Sequence, residues 1–321
     1  MLMSFCVVYN SVMEIANLWA ITAANMSGVR IADPDDVRDI TNLLRHTSYA
    51  HLHADWHYPA DWLGSPGFVV VDKIESEVAE GSLTNRLFGS KRDLRACLAV
   101  AADPPPAAWV RVAAVADAKH GRQILAAMLR AVAEALEQAS VSQLCWLLIE
   151  SWPEEWLRDL GFKKVNFVET YVKQNGPVPD VKDVPGLLIR PVQDVDLQRL
   201  ERIEADAFAP LWRQSASSLA LARQHALSFD VAVLEGTLVG YQLSTPIESG
   251  VHLARMTVAP FAQGSGVGTR LLAHACAEYE RRGLKYISLN TQADNTASQR
   301  LYRRFGFRPN GQRFPVWIVN L

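Results

Sequence analysis

Gln263-Gly264-Ser265-Gly266-Val267-Gly268 lies between a strand pattern and a helix pattern. Ahead of it, Val251-His252-Leu253-Ala254-Arg255-Met256-Thr257-Val258 alternates small or apolar with polar residues and stops at Pro260, as a strand ended by proline does. Behind it, Leu271, Leu272, Ala275 and Tyr279 recur at helical spacing as far as Gly283, a residue suited to a C-cap. Alternate glycines at the mouth of a helix let bare backbone N–H groups approach an anion, and the positive helix end adds to the attraction. The stretch predicts a phosphate cradle.

A dinucleotide fold wants G-x-G-x-x-G and an acidic residue about twenty positions on. Here the glycines run G-x-G-x-G, and the next strand, Lys285 to Asn290, ends in an amide. A P-loop wants G-K-[ST], and this loop has no lysine. The order that follows is Tyr286-Ile287-Ser288-Leu289-Asn290, Asn295-Thr296-Ala297-Ser298-Gln299-Arg300-Leu301-Tyr302, then Phe305-Gly306-Phe307. With Q-x-x-G-x-G in front, residues 187–321 resemble a whole domain of the GNAT acetyltransferase superfamily. The resemblance implies an α/β fold with a mixed sheet and a loop that holds the pyrophosphate of acetyl-coenzyme A.

The chain has 321 residues, 49% apolar and 21% charged, with a net charge of −2. Its length favours two domains, and its charge gives no sign of a basic nucleic-acid surface or an acidic tail. Cys6, Cys97, Cys145 and Cys276 lie far apart, which fits a reducing, cytoplasmic setting better than a disulfide framework or a metal cluster. Phe5 to Met26 is rather apolar, but it has no basic residue before Arg30 and carries Glu14. It therefore satisfies neither the signal-peptide nor the membrane-span pattern. Residues 1–27 are expected to be a disordered or extended N-terminus, with a docked helix or an anchor as the alternatives.

From Val29 the chain says something twice. Val29-Arg30-Ile31-Ala32-Asp33-Pro34-Asp35-Asp36 opens a strand-then-helix unit, as does Leu188-Ile189-Arg190-Pro191-Val192-Gln193-Asp194. Phe68 to Asp72, Leu94 to Ala101 and Trp109 to Val115 read as strands, Arg122 to Gln138 as a helix and Leu144 to Ile149 as a strand. Pro153 to Leu157 starts a short helix running into Leu160-Gly161-Phe162, the counterpart of Phe305-Gly306-Phe307. This predicts two tandem copies of one fold, 28–176 and 187–321, joined by a Pro/Gly-rich linker at 177–186. The first copy has lost its glycine loop: Ala116-Asp117-Ala118-Lys119-His120-Gly121-Arg122 has one glycine, and Asp117 would repel a pyrophosphate. Leu157 stands where the second copy has Tyr302. The first copy is read as degenerate. Its unusual stretch, His51-Leu52-His53-Ala54-Asp55-Trp56-His57-Tyr58, has a period of two. That spacing could bring ligands to zinc, or form a loop folding aromatic residues over a cleft. The second reading is preferred, and no metal is expected.

Acetyl transfer needs a neutral amine, an oxyanion donor and a proton for the departing thiolate. By the GNAT resemblance, Met256, Thr257 and Val258 would bond the pantetheine arm, with the Met256 or Val258 N–H facing the thioester oxygen. Gln263, Gly264, Ser265, Gly266, Val267, Gly268 and Thr269 would wrap the pyrophosphate. Asn290, Asn295 and Ser298 would complete the coenzyme contacts, and Tyr302 would protonate the thiolate. Many relatives carry a glutamate where Ala254 stands, so His252 and Glu248 are the candidate bases. The resemblance places the acceptor between Phe208, Trp212 and Arg213 on one side and Arg313, Phe314 and Trp317 on the other. The expected function is acetyl-coenzyme A-dependent N-acetylation of an amine, on a small molecule or a peptide N-terminus, by a monomer or homodimer. A coenzyme-binding sensor, or another acyl transfer on the same fold, are the alternatives. Neither nucleic acid nor membrane is an expected partner.

Overall fold

A computed structural model describes residues 15–23, 28–53, 56–72, 94–102, 104–174 and 176–321. The chain forms two compact units, one of residues 1–165 with 315–321, the other of residues 166–314. Both are α/β with mixed sheets.

The first unit contains helix α1 (15–22), β1 (Val29–Ile31), α2 (Val37–His46), β2 (Tyr49–Leu52), β3 (Phe68–Asp72), β4 (Leu94–Ala101), β5 (Ala107–Val115), α3 (Gly121–Gln138), β6 (Gln143–Leu147) and α4 (Glu154–Asp159). Its sheet runs β1-β3-β4-β5-β6-β13, with β2 also paired to β5. Strand alternation splits the apolar residues between two cores. Val69, Val71, Leu98, Val100 and Val115 face Ile124, Leu125, Met128 and Leu129 of α3, whereas Phe68, Val70, Cys97, Ala99 and Val112 face Ile40 on α2.

The second unit takes up β7 (Lys163–Gln174) from Asn166 onward. It continues with β8 (Leu187–Pro191), α5 (Leu197–Ala207), α6 (Ala216–His225), β9 (Ser228–Leu234), β10 (Thr237–Ile247), β11 (Gly250–Val258), α7 (Val267–Arg281), β12 (Tyr286–Gln292) and α8 (Thr296–Arg304). Its sheet runs β7-β12-β11-β10-β9-β8. Leu272, Ala275, Cys276 and Tyr279 of α7 pack on Val251, Leu253, Ile287 and Leu289.

Two features depart from the expected boundaries. The last strand, β13 (Arg308–Asn320), enters the first unit at Pro315 and pairs Val316–Asn320 with β6, while β7 pairs Val168–Gln174 with β12. Each unit thus contains a strand from the other half of the sequence, so the units do not end at 176 and 187. The cause is packing: Tyr171 of β7 is fully buried among Leu289, Phe305 and Phe307, and the buried Lys173 donates to the Phe305 carbonyl at 2.8 Å. Second, residues 15–22 are a docked helix, not an extended tail. Trp19 is buried, donates its indole N–H to the Leu160 carbonyl at 2.9 Å and stacks on Phe162. Residues 1–14 and 24–27 lie outside the described residues.

The repeat is visible at atomic level. Arg30 clasps Asp36 through two bonds of 2.7 and 2.8 Å, and Arg190 clasps Asp196 through two of 2.7 and 2.9 Å. In each unit the clasped carboxylate also accepts a backbone N–H three residues back, from Asp33 or Gln193. The Arg190 guanidinium holds the Asp196 carboxyl below the usual carboxylate range.

Candidate active site

The site is built where two parallel strands part. Strands β11 and β12 pair at Val251↔Ile287, His252↔Ser288 and Leu253↔Leu289, and the pairing ends there. The next residue, Ala254, is a bulge: β10 pairs Ser244 with Leu253 and Leu243 with Arg255, leaving Ala254 extra. Beyond it β11 stays paired to β10 alone, so its other edge is open.

The register tells which groups line that edge. The Ala259 N–H donates to the Val239 carbonyl at 2.8 Å, and Gly240 pairs with Val258. In an antiparallel ladder hydrogen-bonded and non-bonded pairs alternate. Thr257 therefore exchanges bonds with Tyr241, while Met256 and Val258 turn their N–H and C=O groups into the gap. Consistently, the Gln263 side chain donates to the outward Val258 carbonyl at 3.0 Å. Thr257 is directed elsewhere: its hydroxyl, buried, donates to Glu204 at 2.7 Å.

The glycine loop closes one end of the gap. After the turn Pro260–Ala262, Gly264 and Gly266 adopt φ of +79° and +98°, and Gly266 is the N-cap of α7 without a side-chain cap bond. The first N–H groups of α7 are thus left uncapped at an exposed loop, the arrangement that attracts an anion. Ser265 turns its hydroxyl back onto the Ala262 carbonyl at 2.7 Å.

Helix α8 forms the opposite wall. Asn295 caps it, its Oδ1 accepting the Ser298 N–H at 3.1 Å, so its amide N–H groups are the ones that remain to donate. Tyr302 is buried, bonds Ser298 through its side chain, and packs edge-on against Phe307. Burial pushes its phenol up to about 12, against the bond from Ser298 and the nearby Arg255 charge. Asn290 accepts from Thr170 on β7 at 2.9 Å.

The two candidate bases part company. His252 bonds Ser288 at 2.9 Å beside the last paired residues, and burial lowers its pKa to about 4. Glu248 is exposed in the turn before Gly250, at the opposite end of β11 from the glycine loop. It lies beyond the start of β11, and the six residues of strand from Gly250 to Met256 alone span roughly 20 Å. The structure does not bring Glu248 to the site.

Beside the residues expected to take the acceptor lies a cluster that the sequence does not announce. Glu204 on α5, fully buried, accepts from the Tyr241 hydroxyl at 2.7 Å, from Thr257, from the Gln214 N–H at 3.2 Å and from two nitrogens of Arg255. Arg255 also donates to the Trp212 carbonyl at 2.6 Å and lies over the Phe208 ring at 3.9 Å. The pair ties the segment bearing Phe208, Trp212 and Arg213 to the open part of β11. Arg213 donates to the Phe208 carbonyl at 3.0 Å. On the other wall Phe314 is half-buried, but Arg313 is ion-paired with Glu169 at 3.2 Å, and Trp317 belongs to the core of the first unit. Trp317 therefore leaves the expected set. An acidic residue in a helix gives no sequence signal that it will be buried, which is why Glu204 was overlooked.

The model of the Acetyltransferase (GNAT) family matches residues 197–307. An uncharacterised N-acetyltransferase of Methanocaldococcus jannaschii is 30% identical over 123 residues, covering 38% of this chain and 78% of that protein. The chain belongs to the GNAT family of acetyltransferases. The ribosomal protein bS18-alanine N-acetyltransferase of Escherichia coli K12 is 27% identical over 119 residues, 37% of this chain and 79% of its own. In fold, the GNAT protein is similar to a GCN5-related N-acetyltransferase from Sphaerobacter thermophilus, with TM-score 0.57 at 18% identity over 91% of this chain and 95% of the other. That span takes in both GNAT units. Among the described residues no helix is long and apolar enough to cross a membrane.

Proposed function

We propose that the second unit transfers the acetyl group of acetyl-coenzyme A to a primary amine, on a small molecule or at a peptide or protein N-terminus. The observation that carries this reading is the open edge of β11, where Met256 and Val258 direct backbone groups into a gap that ends at an uncapped helix. These residues fit acetyl-coenzyme A, which supplies an activated thioester. Met256 or Val258 offers the N–H for the oxyanion. Gly264 to Thr269 hold the pyrophosphate, and the Asn295 amide bonds the pantetheine arm. Tyr302 keeps its proton until it is needed, because burial holds its pKa near 12, and gives it to the leaving sulfur.

His252 is neutral at working pH, since burial keeps its pKa at about 4. It is the remaining candidate for the ammonium proton, and since four residues of strand, roughly 13 Å, separate it from Met256, a chain of several waters would have to carry that proton. Glu204 is unsuited to that task because both its oxygens already accept from Arg255, Tyr241, Thr257 and Gln214. Its role is to position. Phe208, Trp212 and Phe314 give the acceptor wall an apolar character, and Arg213 adds one positive charge.

The test is release of free coenzyme A from acetyl-, propionyl- and succinyl-coenzyme A with a panel of amines and N-terminal peptides. Acceptor-dependent release preferring the acetyl donor is expected. Coenzyme binding without release for any acceptor would favour a sensor or scaffold, and a preference for a longer donor would favour another acyl transfer.

A further inference from the structure

The first unit contains the same parting of strands, and something fills it. Strands β5 and β6 run parallel at Ala107↔Gln143, Ala108↔Leu144 and Trp109↔Cys145, and there the pairing ends, as it does between β11 and β12. A bulge follows here too: β4 pairs Val100 with Val110 and Ala99 with Val112, leaving Arg111 extra where the second unit has Ala254. Aligned on the bulge, Ala113 corresponds to Met256 and Val115 to Val258.

In the first unit this edge is taken. Val112 to Val115 pair on one side with β4. A strand has two edges, so β2, which pairs Tyr49↔Val115, Ala50↔Ala114, His51↔Ala113 and Leu52↔Val112, must lie on the other, the β6 side. The bonds confirm which groups it meets. The His53 N–H donates to the Arg111 carbonyl at 2.9 Å, and the Thr47 hydroxyl donates to the Val115 carbonyl at 2.6 Å. By the alternation of an antiparallel ladder, His51 then exchanges bonds with Ala113, while the Tyr49 N–H donates to the Thr47 hydroxyl at 3.0 Å and so reaches the Val115 carbonyl through it. These are the counterparts of the groups that the second unit leaves facing the gap.

The start of α3 is packed as well. A Cβ at Gly121, the first residue of α3, would run into the Trp156 ring. Trp156 stands five residues before Gly161, where the second unit has Leu301 five before Gly306. Leu301 is a smaller side chain than Trp156, and it stands in ordinary contact with a Cβ built at Gly268, the second residue of α7, at 3.8 Å. His51, on the inserted strand, is 2% exposed with its ring 5.4 Å from that of Trp146, so the insert is anchored by its side chains too.

We infer that the first unit is a self-liganded copy of the fold: its own residues 47–53 occupy the channel that the second unit keeps for the pantetheine arm. This unit therefore takes no coenzyme, and the chain binds one per molecule. The identification of the channel rests on the function proposed above; the insertion of β2 does not.

The test uses the full chain. Equilibrium dialysis with acetyl-coenzyme A should give one site per chain. Amide exchange, read by NMR, should show Ala113 and Val115 slow without ligand and unchanged by it, and Met256 and Val258 fast without ligand and slowed by it. Two sites, or exchange at Ala113 and Val115 that is fast or altered by coenzyme, would overturn the inference. No binding at all with Ala113 and Val115 still slow would leave the insert standing and overturn the proposed function instead.

Discussion

Replacing Gly268 by aspartate should weaken coenzyme binding at least tenfold without loosening the fold. The loop has three glycines, and only one accepts a side chain cleanly. Gly264 and Gly266 have φ of +79° and +98°, and a Cβ on Gly266 would also press on Val184 at 3.1 Å. A residue forced there costs about 1–2 kcal/mol before any ligand is considered, so a loss of binding would be ambiguous. Gly268 is the second residue of α7, and a Cβ on it meets Val258 at 3.5 Å and Leu301 at 3.8 Å, ordinary contacts. The first turn of α7 has no acidic residue, so the new carboxylate gains about 0.3–1 kcal/mol from the helix dipole, and the exchange of glycine for aspartate gains a few tenths of a kcal/mol in propensity. Against a pyrophosphate charge about 5 Å away, one carboxylate costs about 0.8 kcal/mol in water-like surroundings and about 3 kcal/mol at an effective dielectric of 20. Two phosphate charges roughly double that. The expected result is an unchanged or slightly raised Tm and at least a tenfold loss of acetyl-coenzyme A affinity by calorimetry, with Gly268→Ala binding normally. Normal affinity in Gly268→Asp would refute the placement of the pyrophosphate at this helix. Equal loss in Gly268→Ala would show that space, not charge, decides.

Tyr302→Phe should lower kcat about 100-fold with coenzyme affinity retained, and the parent enzyme should show no alkaline limb from this phenol below its pKa of about 12; steady-state kinetics across pH decide both. If His252 takes the proton, kcat/KM should fall only near its pKa of about 4, and an unchanged pH profile in His252→Ala would exclude it. Burial lowers the His51 pKa from 6.5 to about 4 against the pull of the Val110 carbonyl. Its contribution is therefore present above pH 6.5 and lost as pH falls toward 4, a change of about 3 kcal/mol. His51→Phe should flatten that part of the stability curve measured by urea unfolding. A fragment of residues 187–321 lacks Val168–Gln174, the partner of β12, and should be insoluble or unfolded by circular dichroism, whereas 166–321 should recover folding of the second unit.

Much of the second unit was legible because its signals are local. Glycines, the proline after Val258 and the helical spacing of Leu271, Leu272, Ala275 and Tyr279 all act within a few residues. The repeat was legible for the same reason, and the Arg–Asp clasps at Arg30 and Arg190 bear out the parallel openings. What was not legible depends on long-range pairing. Residues 163–174 carry no mark saying that they join β12 rather than their own half. His51-Leu52-His53 has the alternation of a strand but nothing to name its partner, so sequence alone reads as a loop what β2 makes a strand. Glu204 needed Arg255, Tyr241 and Thr257 to be brought around it before its burial made sense. Glu248 misled because nearness in sequence to a strand says nothing about which end of that strand the chemistry occupies.

The two units amount to a controlled comparison within one chain. An outward row of backbone N–H and C=O groups at a parted strand needs partners, whether from protein, solvent or ligand. In the first unit residues 47–53 meet that need. The equivalent stretch of the second unit takes a different course: Phe208 to Gln214 turns through Pro210–Trp212 and is tied down by Arg255 and Glu204. Arg255 thus has two effects with one side chain. It grows from the open strand, and it holds to one side the segment that in the other unit crosses the gap. Keeping that segment out of the channel is a structural requirement for any ligand to enter, and Arg255 meets it by bonding the buried Glu204 on one side and the Trp212 carbonyl on the other.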